Sequence, residues 1–460
     1  MRLTLLAALV VAPSLLAQDQ PRVRERDLLK ELVEINTSDS ARHTGDAARA
    51  MARHLVAAGL PESDVRVLEL SPEIHSLVAR YRGRGGGSRP ILLMAHLDVV
   101  DARKEDWSVD PYTFLEKDGY YYARGSSDNK AGAAMLVANF IRYREENYVP
   151  ERDLVIVLTG DEETSSDAIA TLLAQHRDLV DAEYALNTDA GGGEIHDGRA
   201  TQFVVQTAEK VYLSFQLEVR NKGGHSSVPE PDNAIYHLSR AINRLAGHRF
   251  PVRLNATTTA YFERSAASQT GQVAADMRLV ARSADSSAVN RLARTPYYNS
   301  LMRTTCVATR LFAGHADNAL PQLARATVNC RLLPDESPDS VQAVLARVIG
   351  DTAVHVSQMA PPTPSPASPL RSDIMGPIER LAREMWPQAA IVPEMSTGAT
   401  DGLYVRNAGI PVYGVSAVFE RVDDIRAHGR DERIGVKAYH DAATFWYRLV
   451  KTLGSARPGT

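Results

Sequence analysis

The sequence predicts an α/β protein: a split main domain with a mixed or parallel sheet covered by helices, plus an inserted ferredoxin-like α+β lid domain. Three observations carry this expectation. Apolar, strand-length runs alternate with helical ones toward both ends of the chain, as in layered α/β domains. The middle of the chain changes to a β-α-β-β-α-β order, a unit whose two ends lie side by side and which therefore fits into a loop of another domain. A proline-rich stretch, Pro361–Pro369, then marks the return to the first domain. The 460 residues suit two or three domains at about 150 residues each.

Composition narrows the function classes. The chain is 44% hydrophobic and 23% charged, so it buries a large core and is neither disordered nor a coiled coil. With 52 Lys+Arg against 56 Asp+Glu, the net charge of −4 gives no basic excess for a nucleic-acid partner. Two cysteines exclude a disulfide-rich scaffold and a thiolate metal cluster.

Arg2, the apolar run Leu3–Ala12 and the small-residue exit around Ser14 and Ala17 read as a secretory signal over residues 1–17. The run is too short for a stable membrane span, so the mature chain is expected to be periplasmic or secreted. Export permits a disulfide between Cys306 and Cys330, each twelve residues from Asn318 and so opposed across a hairpin. Two buried free cysteines are the alternative.

Beyond the signal, Val23–Ile35 and Asp46–Ala58 are amphipathic helices. Ile91–Ala95, Leu154–Leu158, Tyr184–Asn187 and Pro411–Val415 are apolar throughout, as strands covered on both faces are. Helices fill Lys130–Arg144, Ala168–His176 and Val436–Leu449, and Asp118-Gly119 turns a hairpin into Tyr120–Tyr122. In the middle, Val211–Val219, Thr304–Leu311, Ala326–Leu332 and Thr352–Val356 are strands, with helices at Asn233–Leu245 and Ser340–Ile349. Residues 250–300 are a helical addition. The expected domains are residues 18–207 and 359–460 for the halves of the main domain and 208–358 for the lid.

Four motifs carry chemistry. His96 and Asp98, two apart at a strand end, face the same way, and Asp98 suits the carboxylate that fixes a metal-binding histidine's tautomer. Asp128 precedes a helix in Gly125-Ser126-Ser127-Asp128-Asn129-Lys130, where capping is the plain reading. Asp161-Glu162-Glu163 ends a buried strand, where open α/β sheets place ligands, and three adjacent acids favour a cation. Asp189 follows the Tyr184–Asn187 strand, and His428 follows Pro411–Val415.

In this order the motifs resemble those of the dinuclear zinc exopeptidases and amidohydrolases of family M20. That family includes carboxypeptidase G2-like, carnosinase-like and aminoacylase-like enzymes. The resemblance runs from about Leu28 to Leu449 and also includes Gly223-Gly224-His225-Ser226-Ser227 and Thr400-Asp401. Asn318-Ala319-Leu320-Pro321 and Asn329-Cys330-Arg331-Leu332 look closest to the carboxypeptidase S-like branch.

The resemblance implies two Zn2+ per subunit, with Co2+ or Mn2+ as substitutes. His96 and Asp189 would hold one ion, Glu163 and His428 the other, and Asp128 would bridge them. It further implies Glu162 as general base and His225 as oxyanion partner, the latter reaching the site of the other subunit of a homodimer joined through the lid. Asn318 and Arg331 would grip the substrate carboxylate, and Gly398 and Thr400 would line the pocket. The implied substrate is a small peptide cleaved beside a terminal amino acid. The alternatives are an N-acyl amino acid amidohydrolase and an exported zinc- or peptide-binding protein without turnover.

Overall fold

The computed structural model describes residues 16–456 apart from residues 86 and 364. The expected signal at residues 1–17 falls outside them except for its last two positions, where the helix Leu16–Glu34 begins. Two compact units divide the chain: one runs through Ala168 and resumes at Asp423, the other is Ile169–Val422. Both are α/β, the class the sequence predicts.

In the first unit, strands Val65–Glu69, His75–Tyr81, Leu154–Thr159 and Ile91–His96 lie side by side in that order. Ile91–His96 and Leu154–Thr159 run parallel, with Ile91 opposite Leu154 and His96 opposite Thr159. Every residue of both strands is buried, because helices leave neither face to water. This register sets the carboxyl ends of the two strands next to each other, and the His96–Asp98 and Asp161–Glu163 segments leave from there. Helix Lys130–Glu145 is buried along almost its whole length. Asp118 and Gly119, both at positive φ, close the hairpin between Leu115–Lys117 and Tyr120–Tyr122. Tyr120–Tyr122 then pairs with Arg433–Gly435, which draws the chain near residue 432 against the Arg124–Asp128 loop.

In the second unit, Tyr184–Asn187 runs parallel to Val412–Gly414. The strand Arg199–Glu209 pairs with both Gly192–His196 and Ala390–Ser396. The β-α-β-β-α-β run follows as read: a four-stranded antiparallel sheet in the order Thr305–Ala313, Leu323–Leu332, Val211–Arg220, His355–Gln358. Its core is formed by Leu213, Phe215, Leu217 and Val328 against Leu238 and Leu345 of helices Ala234–Gly247 and Pro338–Ile349. Cys306 and Cys330 stand opposite each other and are joined by a disulfide, the first of the two alternatives above. The final strand begins at His355 rather than Thr352, because the Asp351 carboxylate accepts the Ala353 N–H and holds a turn there. The 250–300 addition is four helices between Ala256 and Met302, packed around Phe262, Met277, Leu301 and Val392.

Lys210, where Arg199–Glu209 gives way to Val211–Arg220, is fully buried and donates to the Arg303 carbonyl at 2.7 Å. Burial lowers its pKa from 10.5 to about 7. The unfolded chain therefore binds more protons than the folded one between pH 7 and 10.5, and stability rises with pH across that window. Denaturant unfolding of wild type and Lys210→Met should diverge there by up to roughly 1.4 kcal/mol per pH unit. A gap between the two that stays constant from pH 7 to 9 counts against this.

Candidate active site

Four of the predicted residues converge in the first unit. The His96 ring is buried, with Nε2 3.1 Å from Asp128 Oδ1. His428 Nε2 lies 3.1 Å from Asp128 Oδ2 and 2.9 Å from Glu163 Oε2. Candidate ligand atoms of His96, Asp128 and Glu163 all fall within 4.8 Å of one another. Each oxygen of Asp128 thus faces a different histidine. Burial raises the Asp128 pKa, but hydrogen bonds from His428 and His96 outweigh it and hold the carboxyl well below the usual range. Hydrogen bonds to Asp128 and Glu163 push His428 up to about 10. The cluster is built to stabilise positive charge.

The backbone around it is fixed by two further carboxylates. Asp98 accepts the N–H groups of Glu162 at 3.1 Å and Glu163 at 2.9 Å. His96 Nδ1 meets the Asp98 carbonyl at 3.0 Å and its carboxylate only at 3.5 Å, so the carbonyl is the nearer orienting partner. Glu432, fully buried, accepts the N–H groups of Gly125, Ser127 and Asp128. Gly125 has φ +82°, and a Cβ there would meet Val99 Cγ1 at 2.7 Å, so the loop requires glycine. Asp161 is spent elsewhere: its carboxylate accepts from Ser165 Oγ and the Ala168 N–H. Of the three adjacent acids, the first is therefore a turn former and not a cation ligand.

In the second unit, Asp189 follows its strand as predicted, and its N–H donates to Asn187 Oδ1 at 3.1 Å. Thr400 gives its N–H and hydroxyl to Glu209 at 3.0 and 2.8 Å, and Glu209 pairs with Arg406 in full burial. The Thr400 donors thus serve the protein's interior rather than a ligand. Gly398 is exposed, its N–H bonded to Ser396 Oγ. His225 pairs with Ala319 across Gly224–His225 and Ala319–Leu320, and the Ser226 N–H reaches the Asn318 carbonyl at 3.0 Å, so His225 and Asn318 are neighbours. Arg331 sits near the far end of Leu323–Leu332, its guanidinium over the Tyr212 ring. Arg331 is eight residue steps from Leu323 along the strand, roughly 26 Å at the usual rise.

Residues 92–452 match the peptidase family M20/M25/M40. The chain belongs to this family.

Among M20 relatives, the chain is 27% identical over 451 residues to the N-fatty-acyl-amino acid synthase/hydrolase PM20D1 of Mus musculus, covering 94% of this chain and 88% of that one. It is 26% identical to the probable carboxypeptidase S-like 2 of Dictyostelium discoideum, over 82% of this chain and 74% of that one, in keeping with the carboxypeptidase S-like branch. The fold matches the M20 metallo-carboxypeptidase Sso-CP2 of Sulfolobus solfataricus with a TM-score of 0.67 at 16% identity, over 94% of this chain and 99% of that one. M20 enzymes are metal-dependent hydrolases. The donor set fits: two imidazoles and two carboxylates gathered around one point suit a divalent transition metal.

Glu432 shapes the cluster from outside the sequence motifs, and in the second unit the buried pair Glu209 and Arg406 holds the loop at Thr400. Glu432 lies four residues after His428, close enough that extending the His428 motif would have reached it. Glu209 and Arg406 carry no local signal, since 197 residues separate them in sequence.

Proposed function

We propose that this M20 hydrolase is an exported enzyme that cleaves small peptides at the amide bond beside a terminal amino acid, using two zinc ions. The observation that supports it most is the meeting of His96, Asp128, Glu163 and His428, with an Asp128 oxygen toward each histidine. The family resemblance adds Asp189 as the remaining ligand. Bound zinc, or cobalt or manganese in its place, would supply an acidified water and a polarised carbonyl. Glu162 takes the proton of the attacking water and returns it to the leaving amine. Asp98 keeps the loop carrying Glu162 and Glu163 in place through their N–H groups. His225 stabilises the oxyanion from a second subunit, with Asn318 beside it.

Pairing of two copies through the lid is supported by the edge strand Thr305–Ala313, which exposes Val307, Leu311 and Phe312 beside an edge free to pair among the described residues. The likeness to PM20D1 favours a second reading, hydrolysis of N-acyl amino acids.

Elemental analysis, light scattering and rates on dipeptides, N-acetyl and N-fatty-acyl amino acids test these readings on one preparation. Two zinc per chain, a two-chain mass and dipeptide turnover support the first. Turnover confined to N-acyl amino acids selects the second. Zinc binding without any turnover leaves only a binding protein, and a one-chain mass removes the pairing.

A further inference from the structure

Glu432 is a buried anion whose two oxygens are both filled by donors. Oε1 accepts the Ser127 N–H at 2.9 Å, the Ser127 hydroxyl at 3.0 Å and the Asp128 N–H at 3.0 Å. Oε2 accepts the Gly125 N–H at 3.0 Å and Arg124 Nη1 at 2.6 Å. The other arm of the Arg124 fork, Nη2, donates to the Gly429 carbonyl at 3.0 Å, one residue from His428. One carboxylate therefore holds the main chain of Asp128 directly and that beside His428 through Arg124. These are the two residues whose side chains meet at 3.1 Å.

The chemistry calls for a carboxylate in particular. A glutamine would offer one acceptor oxygen and turn an NH2 toward either Arg124 and Gly125 or Ser127 and Asp128, setting donor against donor. It would also leave the Arg124 charge, 3% exposed, without its counter-ion. A buried charge of this kind is costly unless it is fully bonded, and all its bonds converge on the two loops that present Asp128 and His428.

We infer that Glu432 is a positioning residue that fixes Asp128 and His428 relative to each other, so that a divalent metal ion meets both donors already in place. This rests on the metal-site reading above. Glu432 touches neither metal nor substrate. It acts through the two loops, with Arg124 as its link to the second.

Full-length wild type, Glu432→Gln and Arg124→Lys are compared in zinc affinity by competition with a chromophoric chelator, using only protein that elutes as a folded species. Thermal melts of the metal-free proteins are run beside them. Outer partners of metal ligands are worth about 10–100-fold in metal affinity, and Glu432→Gln is expected to lose that much. Arg124→Lys keeps the charge opposite Glu432 but gives up the planar fork that also reaches Gly429, and should lose less. A role confined to fold stability would lower the melting temperature and leave the zinc affinity of folded protein unchanged. That result overturns the inference. If Glu432→Gln does not fold, Arg124→Lys decides on the same criterion. Wild type that takes up no zinc removes the metal-site reading itself, an outcome distinct from wild-type binding with unaltered variants.

Discussion

Glu162→Ala should fold, keep its full complement of zinc and lose turnover by about 10²–10⁴-fold, the usual worth of general acid–base help. The main chain at this position is held from elsewhere. Asp98 receives the N–H of Glu162 through one oxygen and that of Glu163 through the other, so removing the Glu162 side chain leaves Glu163 where it was. Adjacent carboxylates can then hold separate duties: Glu163 faces His428 at 2.9 Å, and proton transfer is the duty proposed for Glu162. Zinc content by elemental analysis and kcat on the best substrate of the panel separate the two. Glu162→Gln, equal in size but unable to accept the proton, should fall as far as the alanine variant. Normal kcat in either variant removes Glu162 from the chemistry, and lost zinc in both would make it a ligand instead.

Much of this molecule could be read from local pattern, because strand and helix periodicity reports what each element buries. Ile91–His96 and Leu154–Thr159 are apolar throughout and are buried throughout, and the alternating Val211–Arg220 run has one face in a core. The candidate ligands His96 and Glu163 were legible for a related reason. They sit where apolar strands stop, and polar groups at such places need a task. Pairings across long sequence distances left no such trace. Arg199–Glu209 is the longest strand of the second unit and went unrecognised, since the buried polar residues Gln202, Gln206, Thr207 and Glu209 break up its apolar pattern.

Glu432 and Glu209 look, in sequence, like any surface acid. Their burial is decided by Arg124 and Arg406, which arrive from 308 and 197 residues away. The acids at 161–163 divide in their duties: Asp161 closes a turn through Ser165 and Ala168, a role that only the folded loop reveals.

Asp128→Ala is expected to have the largest effect on metal of any single substitution, leaving less than one equivalent of zinc bound and no measurable hydrolysis. The reason is geometric. Oδ1 lies 3.1 Å from His96 and Oδ2 3.1 Å from His428, so one side chain serves both halves of the cluster. His428→Ala, by comparison, removes a donor only from the half that holds Glu163, and should keep zinc near His96. The loop itself should survive in Asp128→Ala, because its bond to Glu432 comes from the main-chain N–H and not from the lost carboxylate. Far-UV circular dichroism of the metal-free variant should therefore match wild type while elemental analysis diverges. If Asp128→Ala retains both zinc ions, the carboxylate is no bridge. If it loses no more than His428→Ala does, its two oxygens do not serve two ions.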